Sequence, residues 1–193
     1  GNAEEVNIAF NEFIRSEGWA GRRVNLASVP VKGNGEICLT DALSGTVLYR
    51  NTFSSLFQEW IVTDEAKSST KSFEATFLVP MPKNDCVVTL SLFNNEGAKV
   101  AELKQSLKVD DKLIRHSNAK PAPHTYMLQS GSDEECIDVA IVAEGYTVDE
   151  MDIFLQDARL TCDEIMRYEP FASMKERFNF VAVMLPSADS GVS

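Results

Sequence analysis

Residues 136–186 limit most strongly what this chain can fold into, because two apolar runs of strand length stand on either side of one amphipathic helix. Ile137-Asp-Val-Ala-Ile-Val-Ala143 is the first run and Phe178-Asn-Phe-Val-Ala-Val-Met-Leu185 the second. Runs this short and this apolar suit strands buried in a sheet. A helix between them makes a βαβ crossover, with parallel strands and a right-handed connection.

The helix is marked at both ends. Thr147-Val-Asp-Glu150 reads as a capping box, in which the Thr hydroxyl serves the amide three residues on and the Glu carboxylate reaches back to the cap amide. Asp149 and Glu150 also suit the positive end of the helix dipole. Phe154, Ala158, Thr161, Ile165 and Tyr168 then recur at steps of three and four, with Met151, Leu155, Cys162 and Met166 widening the stripe. Glu169-Pro170 is expected to close the element, since the residue before a proline is pushed out of the α region.

Ligands of open α/β sheets gather beyond the carboxyl ends of the strands. Those ends carry Glu144-Gly145-Tyr146 after one strand and Ser187-Ala-Asp189-Ser190-Gly191 after the other. Glu144, Asp189, Ser190 and Gly191 are therefore the candidate active-site edge, although turn chemistry alone accounts for the same residue types.

The run Ile137 to Thr147, the Glu-Met-Asp helix start, Tyr168-Glu-Pro-Phe171, Phe178-Asn179 and Asp189-Ser-Gly-Val-Ser193 resemble the opening of the catalytic domain of the IgA-peptidase family of secreted zinc metallopeptidases. Upstream, Phe53-Ser-Ser-Leu-Phe-Gln-Glu-Trp60, Thr63-Asp-Glu-Ala66 and Lys71-Ser-Phe-Glu-Ala-Thr-Phe-Leu-Val-Pro80 resemble the β-rich domain that precedes it in that family. These pieces touch most of the chain from about Arg22 onward, and their order agrees with the family's. Glu144 stands where many relatives carry Asp. The resemblance implies a zinc endopeptidase acting on a protein substrate, secreted or at the cell surface of a bacterium.

Zinc hydrolysis needs about three protein ligands that leave one position open for water, together with a carboxylate base. His-Glu-x-x-His places most of that set on one helical face, and the chain has no such motif. His116 and His124 sit in a Pro- and Ser-containing segment and read as solvated linker residues. The expectation is that this chain contains no catalytic or metal-binding residue and binds no zinc, the metal and its motif belonging to a longer parent, downstream of Ser193.

A net charge of −11 argues against nucleic acid or an anionic membrane as a partner and favours solubility. No run approaches the ~18 apolar residues of a membrane span. The chain opens with Gly1 rather than Met, which fits a processed secreted protein. Cys38, Cys86, Cys136 and Cys162 contain no C-x-x-C pair and read as buried thiols; Cys38 and Cys86 would bridge two strands if they faced one another, which spacing leaves open.

Residues 2–18 hint at a short helix under an Asn-x-x-Glu start. Glu36 to Thr40 and Thr46 to Arg50 read as a hairpin about Asp41-Ala-Leu-Ser-Gly45. Phe53, Leu56, Phe57 and Trp60 fall at helical spacing for one turn, as a structural plug or as a ligand platform. Phe73 to Val79, Val88 to Leu92 and Ala101 to Val109 alternate as strands. The fold class expected is α+β: an antiparallel β-sandwich over residues 1–111, a linker over 112–135, and the first βαβ unit of an incomplete α/β domain over 136–193.

A second reading makes the chain a non-enzymatic surface module that binds glycan or protein through the Phe53 to Trp60 aromatics or the exposed loops. A serine hydrolase built on Ser187 or Ser190 is disfavoured, because there is no G-x-S-x-G elbow and no histidine in a triad position.

Overall fold

The structure, a computed structural model, describes residues 1–29 and 31–191. The fold is α+β, and the chain divides into two compact units, Gly1–Asn118 and Ala119–Ser193.

The first unit holds β1 (Ile14–Arg15), β2 (Gly35–Asp41), β3 (Val47–Phe53), helix α1 (Leu56–Trp60), β4 (Cys86–Phe93), β5 (Lys99–Leu107) and β6 (Arg115–His116). Strands β2 to β5 form an antiparallel sheet in the order β3-β2-β4-β5, while β1 pairs in parallel with β6. The hairpin between β2 and β3 forms as the pattern predicts. Its turn is held by the Asp41 carboxylate, which accepts from the Ser44 amide at 2.7 Å and the Leu43 amide at 3.1 Å, an Asx turn.

Residue parity separates the two faces of this sheet. Ile37, Leu39, Tyr49, Val88 and Leu107 are buried on one side. In register on the other side lie Glu36, Thr52, Ser91 and Glu102. A sandwich would cover the apolar face with a second sheet, but among the described residues that face is covered by irregular chain. Phe77 and Val79 pack on it from a stretch that alternates like a strand and forms none. That stretch contributes side chains and no ladder, and Pro80 and Pro82 follow it. Parity also settles the thiols: Cys38 pairs with Thr89 and Cys86 with Asp41, which puts the two cysteines on opposite faces, and both are free.

The helix expected within residues 2–18 does not form. Asn2 Oδ1 accepts from the Glu4 and Glu5 amides at 3.0 and 2.9 Å, a capped turn that no periodic face extends. Helix α1 does form, with the Ser55 hydroxyl accepting from the Gln58 amide. Its aromatics turn inward: Trp60 is 9% exposed, packs beside Phe57 and Phe73, and donates its indole N–H to Glu65 at 2.8 Å. That is the plug, not a platform.

The second unit holds β7 (His124–Gln129), β8 (Ile137–Val142), helix α2 (Met151–Ile165) with a 3-10 turn over Val148–Glu150 before it, and β9 (Phe178–Val183). Strand β9 lies in the middle, antiparallel to β7 and parallel to β8. The crossover from β8 through α2 to β9 is the predicted βαβ unit. Residues 112–135 are not all linker, since β6 and β7 lie within them. Met127 of β7 is buried against α2, and the Arg159 guanidinium donates to its carbonyl. Two prolines and few apolar residues hid a strand of only six residues.

Helix α2 packs on the sheet through Phe154, Ala158 and Cys162 at steps of four, against Phe178, Phe180 and Ala182 of β9. The stripe is narrower than its pattern suggested. Thr161 is exposed, and Tyr168 is 63% exposed beyond a helix that ends at Ile165, short of the proline. The opposite face of the sheet carries Ala140 and the half-exposed Val142.

Asn179, the second residue of β9, is a buried polar residue with 0% exposure. Its Oδ1 accepts from the Ser130 and Gly131 amides at 2.9 and 3.3 Å, and its Nδ2 donates to Asp138 at 2.9 Å. Replacing Asn179 by Leu strands all three partners and is expected to cost the second unit roughly 2–4 kcal/mol. Faster amide exchange across residues 178–183 measures the loss; unchanged exchange would contradict this role. Limited digestion by a broad-specificity protease is expected to cut first between His116 and His124, where the backbone makes no regular structure. β7 then stays with the C-terminal fragment, and first cuts inside β7 would contradict its place in the sheet.

Candidate active-site edge

Strands β8 and β9 run parallel in direct register, so the segments that follow them leave at the same edge. The first bond beyond the sheet links the Ala143 amide to the Val183 carbonyl at 3.1 Å. Two loops, 144–147 and 187–191, then zip together. The Gly145 amide donates to Ser187 Oγ at 2.9 Å, the Ser187 amide donates to the Tyr146 carbonyl at 2.8 Å, and the Gly191 amide donates to the Gly145 carbonyl at 2.8 Å. Gly145 has φ 80° and Gly191 φ 86°, left-handed conformations that a side chain would strain.

Glu150 joins the loops to the start of α2. One carboxylate oxygen accepts from the Thr147 amide and hydroxyl, both at 2.8 Å, completing the predicted capping box. The other accepts from the Ser190 hydroxyl at 2.8 Å. The Thr147 amide first, then the Ser190 and Thr147 hydroxyls, hold this carboxyl below the ordinary glutamate range. Nearby, Tyr146 packs its ring 5.4 Å from Phe154 and donates its hydroxyl to Asp157 at 2.8 Å, which raises the phenol's pKa.

The residues read from the sequence thus meet at one edge, in different states. Ser190 and Gly191 are engaged with Glu150 and Gly145, while Glu144 and Asp189 are exposed. Val192 and Ser193, which belong to the last resembling motif, lie outside the described residues. Sequence reasoning assigned Glu150 to the helix cap and missed its second bond. The Thr-x-x-Glu spacing signals the cap, whereas Ser190 arrives from forty residues away in the chain with no local pattern to announce it.

This arrangement has acids and hydroxyls but no activated nucleophile. Ser187 Oγ accepts an amide proton, and Ser190 donates to a carboxylate whose lowered pKa makes it a poor base. Nor does a zinc ion fit the residues present: among the described residues no group of three or more His, Cys, Asp or Glu is placed to hold a metal. His116 and His124 are exposed and lie in different units; the His124 ring nitrogen Nδ1 is 2.9 Å from the Ala122 carbonyl.

A depressed carboxyl pKa stabilises the folded loop above the unfolded glutamate range and loses that contribution as pH falls through the folded value. The Thr147 and Gly191 amide resonances are therefore expected to titrate together, with a midpoint below the ordinary glutamate range. In Glu150→Gln this transition should vanish. A midpoint at or above the ordinary range, or titration that survives the substitution, would refute the latch.

The family model described as Peptidase M64 N-terminus matches residues 1–104, and the model described as IgA Peptidase M64 matches residues 126–193. No curated protein matches the chain. The second match spans β8, α2, β9 and both loops of the edge, and the first spans β2, β3 and β4 and ends within β5. Between them they cover most of the sequence in the order its motifs suggested, and the chain belongs to the IgA peptidase M64 family.

Proposed function

We propose that these residues form the N-terminal part of a secreted or cell-surface zinc endopeptidase that cleaves a protein substrate. The observation that carries this reading is the pair of consecutive family matches, to the family's N-terminal region over residues 1–104 and to its peptidase region over residues 126–193. In this reading the first unit, Gly1–Asn118, is accessory, and the second, Ala119–Ser193, belongs to the catalytic region. The His-Glu-x-x-His motif lies in the parent outside these 193 residues.

Zinc, when bound in the parent, supplies a polarised water and a Lewis acid for the scissile carbonyl. This chain's own residues do something different. The zipped loops and the Glu150 latch give the edge a fixed shape, and Glu144 and Asp189 present carboxylates there to a substrate backbone or a cationic side chain.

The test is proteolysis by the purified parent on a mixture of folded and unfolded proteins, with and without a chelator. Cleavage is expected to stop on chelation and return on adding zinc. The 193-residue chain alone is expected to cleave nothing and to retain no stoichiometric zinc. Cleavage by the parent that ignores the chelator would overturn the zinc reading, and cleavage by the short chain would place catalytic residues within it.

A further inference from the structure

The four-stranded sheet of the first unit has two edges, and the protein treats them differently. On β3 the edge is met by the chain's own backbone: the Arg50 amide donates to the Leu26 carbonyl at 2.8 Å, the Arg22 guanidinium donates to the Arg50 carbonyl at 2.5 Å, and the Thr52 hydroxyl donates to the Val31 carbonyl. On β5 nothing of the kind occurs. That strand pairs with β4 alone, and among the described residues no other group bonds to its backbone. It is nine residues long, with residues 99, 100, 102, 104 and 106 exposed. Alternate donors and acceptors of such an edge point outward, open to pairing with another chain.

The side chains of β5 narrow the choice of that chain. Register with β4 places Glu102 and Lys104 beside Ser91 and Thr89 on the polar face, and Leu103 beside Leu90 on the apolar one. Lys99 and Lys104 both reach Glu102, Lys104 at 3.2 Å, and the Lys104 side chain is still 62% exposed. Two identical strands that pair antiparallel are related by a two-fold axis perpendicular to the sheet, so residue i meets residue j while j meets i. With the axis at Leu103, the fifth residue of β5, Glu102 of each copy stands opposite Lys104 of the other, Ala101 opposite Gln105, and Leu103 opposite its own counterpart. Moving the axis to residue 102 sets Glu102 against itself, and moving it to residue 104 does the same to Lys104; like charges directly opposite are destabilising. Lysines on an edge strand ordinarily ward off partners. Here the charges repel in the two neighbouring registers and attract in one. The bulge of β5 leaves Val100 unpaired, between Lys99 opposite Phe93 and Ala101 opposite Leu92, and so falls outside the stretch from Ala101 to Gln105.

We infer that β5 is a homodimer edge: a second copy of this chain adds antiparallel to it about Leu103, joining four strands from each copy into one continuous sheet. A copy suits the edge better than a foreign strand because Glu102-Leu-Lys104 is its own complement when the direction reverses. Two cross-strand ion pairs and one Leu–Leu contact make a small interface, so the dimer belongs to the reversible, micromolar class and not to the permanent one.

The test is sedimentation of the 193-residue chain over rising concentration at physiological ionic strength, where repulsion between two bodies of net charge −11 is screened. A monomer–dimer equilibrium is expected, with amide exchange along β5 slowing as the dimer fills. Glu102→Lys puts two ammonium groups opposite one another and Lys104→Glu two carboxylates, so each variant alone is expected to dimerise at least about tenfold more weakly. Mixed in equal amounts the two variants are complementary again, and a one-to-one heterodimer is expected with affinity close to that of the unsubstituted chain. Rescue by mixing separates charge pairing from misfolding, because an unfolded variant would not bind the other. Should Lys104→Glu lose its dispersed amide spectrum, Lys104→Gln, which removes a charge and adds none, takes its place and is expected to weaken the dimer severalfold. A chain that stays monomeric at every concentration, a dimer that no variant weakens, or folded variants that mixing does not bring together would overturn the proposal. Amides of β5 that shift only on adding a blocked glutamate–valine peptide, with the chain still monomeric, would reassign the edge to foreign strands.

Discussion

The second unit depends on one buried carboxamide. Asn179 lies near the start of the central strand and is fully enclosed, yet each of its polar atoms has a partner, one in β8 and two in the segment after β7. A buried polar group is costly when unsatisfied, so a register slip of one residue would both expose Phe180 and leave this amide stranded. Hydrophobic packing of Phe154, Ala158 and Cys162 holds α2 to the sheet; the amide decides which alignment of strands that packing is allowed to select. The aligned exit of β8 and β9, and with it the meeting of loops 144–147 and 187–191, follows from that choice.

At that meeting point a single carboxylate serves two structures. Glu150 closes the first turn ahead of α2 with one oxygen and restrains the 187–191 loop with the other. Local capping and long-range restraint are therefore coupled, and neither can relax without loosening the other. The division of labour among the acids follows: Glu150 is bound to its donors, while Glu144 and Asp189 are exposed to solvent.

Much of this was legible in the residues. The βαβ unit, the capping box, the β2–β3 hairpin and the gathering of Glu144, Ser190 and Gly191 at one edge all rest on local periodicity or on a topological rule, and these survive without knowledge of tertiary contacts. What failed had physical reasons. Phe73 to Val79 alternates because one side packs on a core, and alternation reports burial on one face whether or not a neighbouring strand supplies hydrogen bonds. Strand β7 was obscured by its flanking prolines, and its bonds run to a strand about fifty residues later. Tyr168 continues the helical spacing after the helix itself has ended.

The position of β9 between its neighbours carries a further meaning for how the chain acquires its shape. Neither β7 nor β8 bonds to the other; both wait for a partner that leaves the ribosome about forty to fifty residues later. Until then the helix, with its own cap, is the part of this unit able to organise from nearby residues alone. Two unpaired strands therefore spend several seconds of synthesis exposed, at ribosomal rates of about 5–20 residues per second. The polar residues between them, Ser130 through Glu135, space these sticky segments apart during that interval.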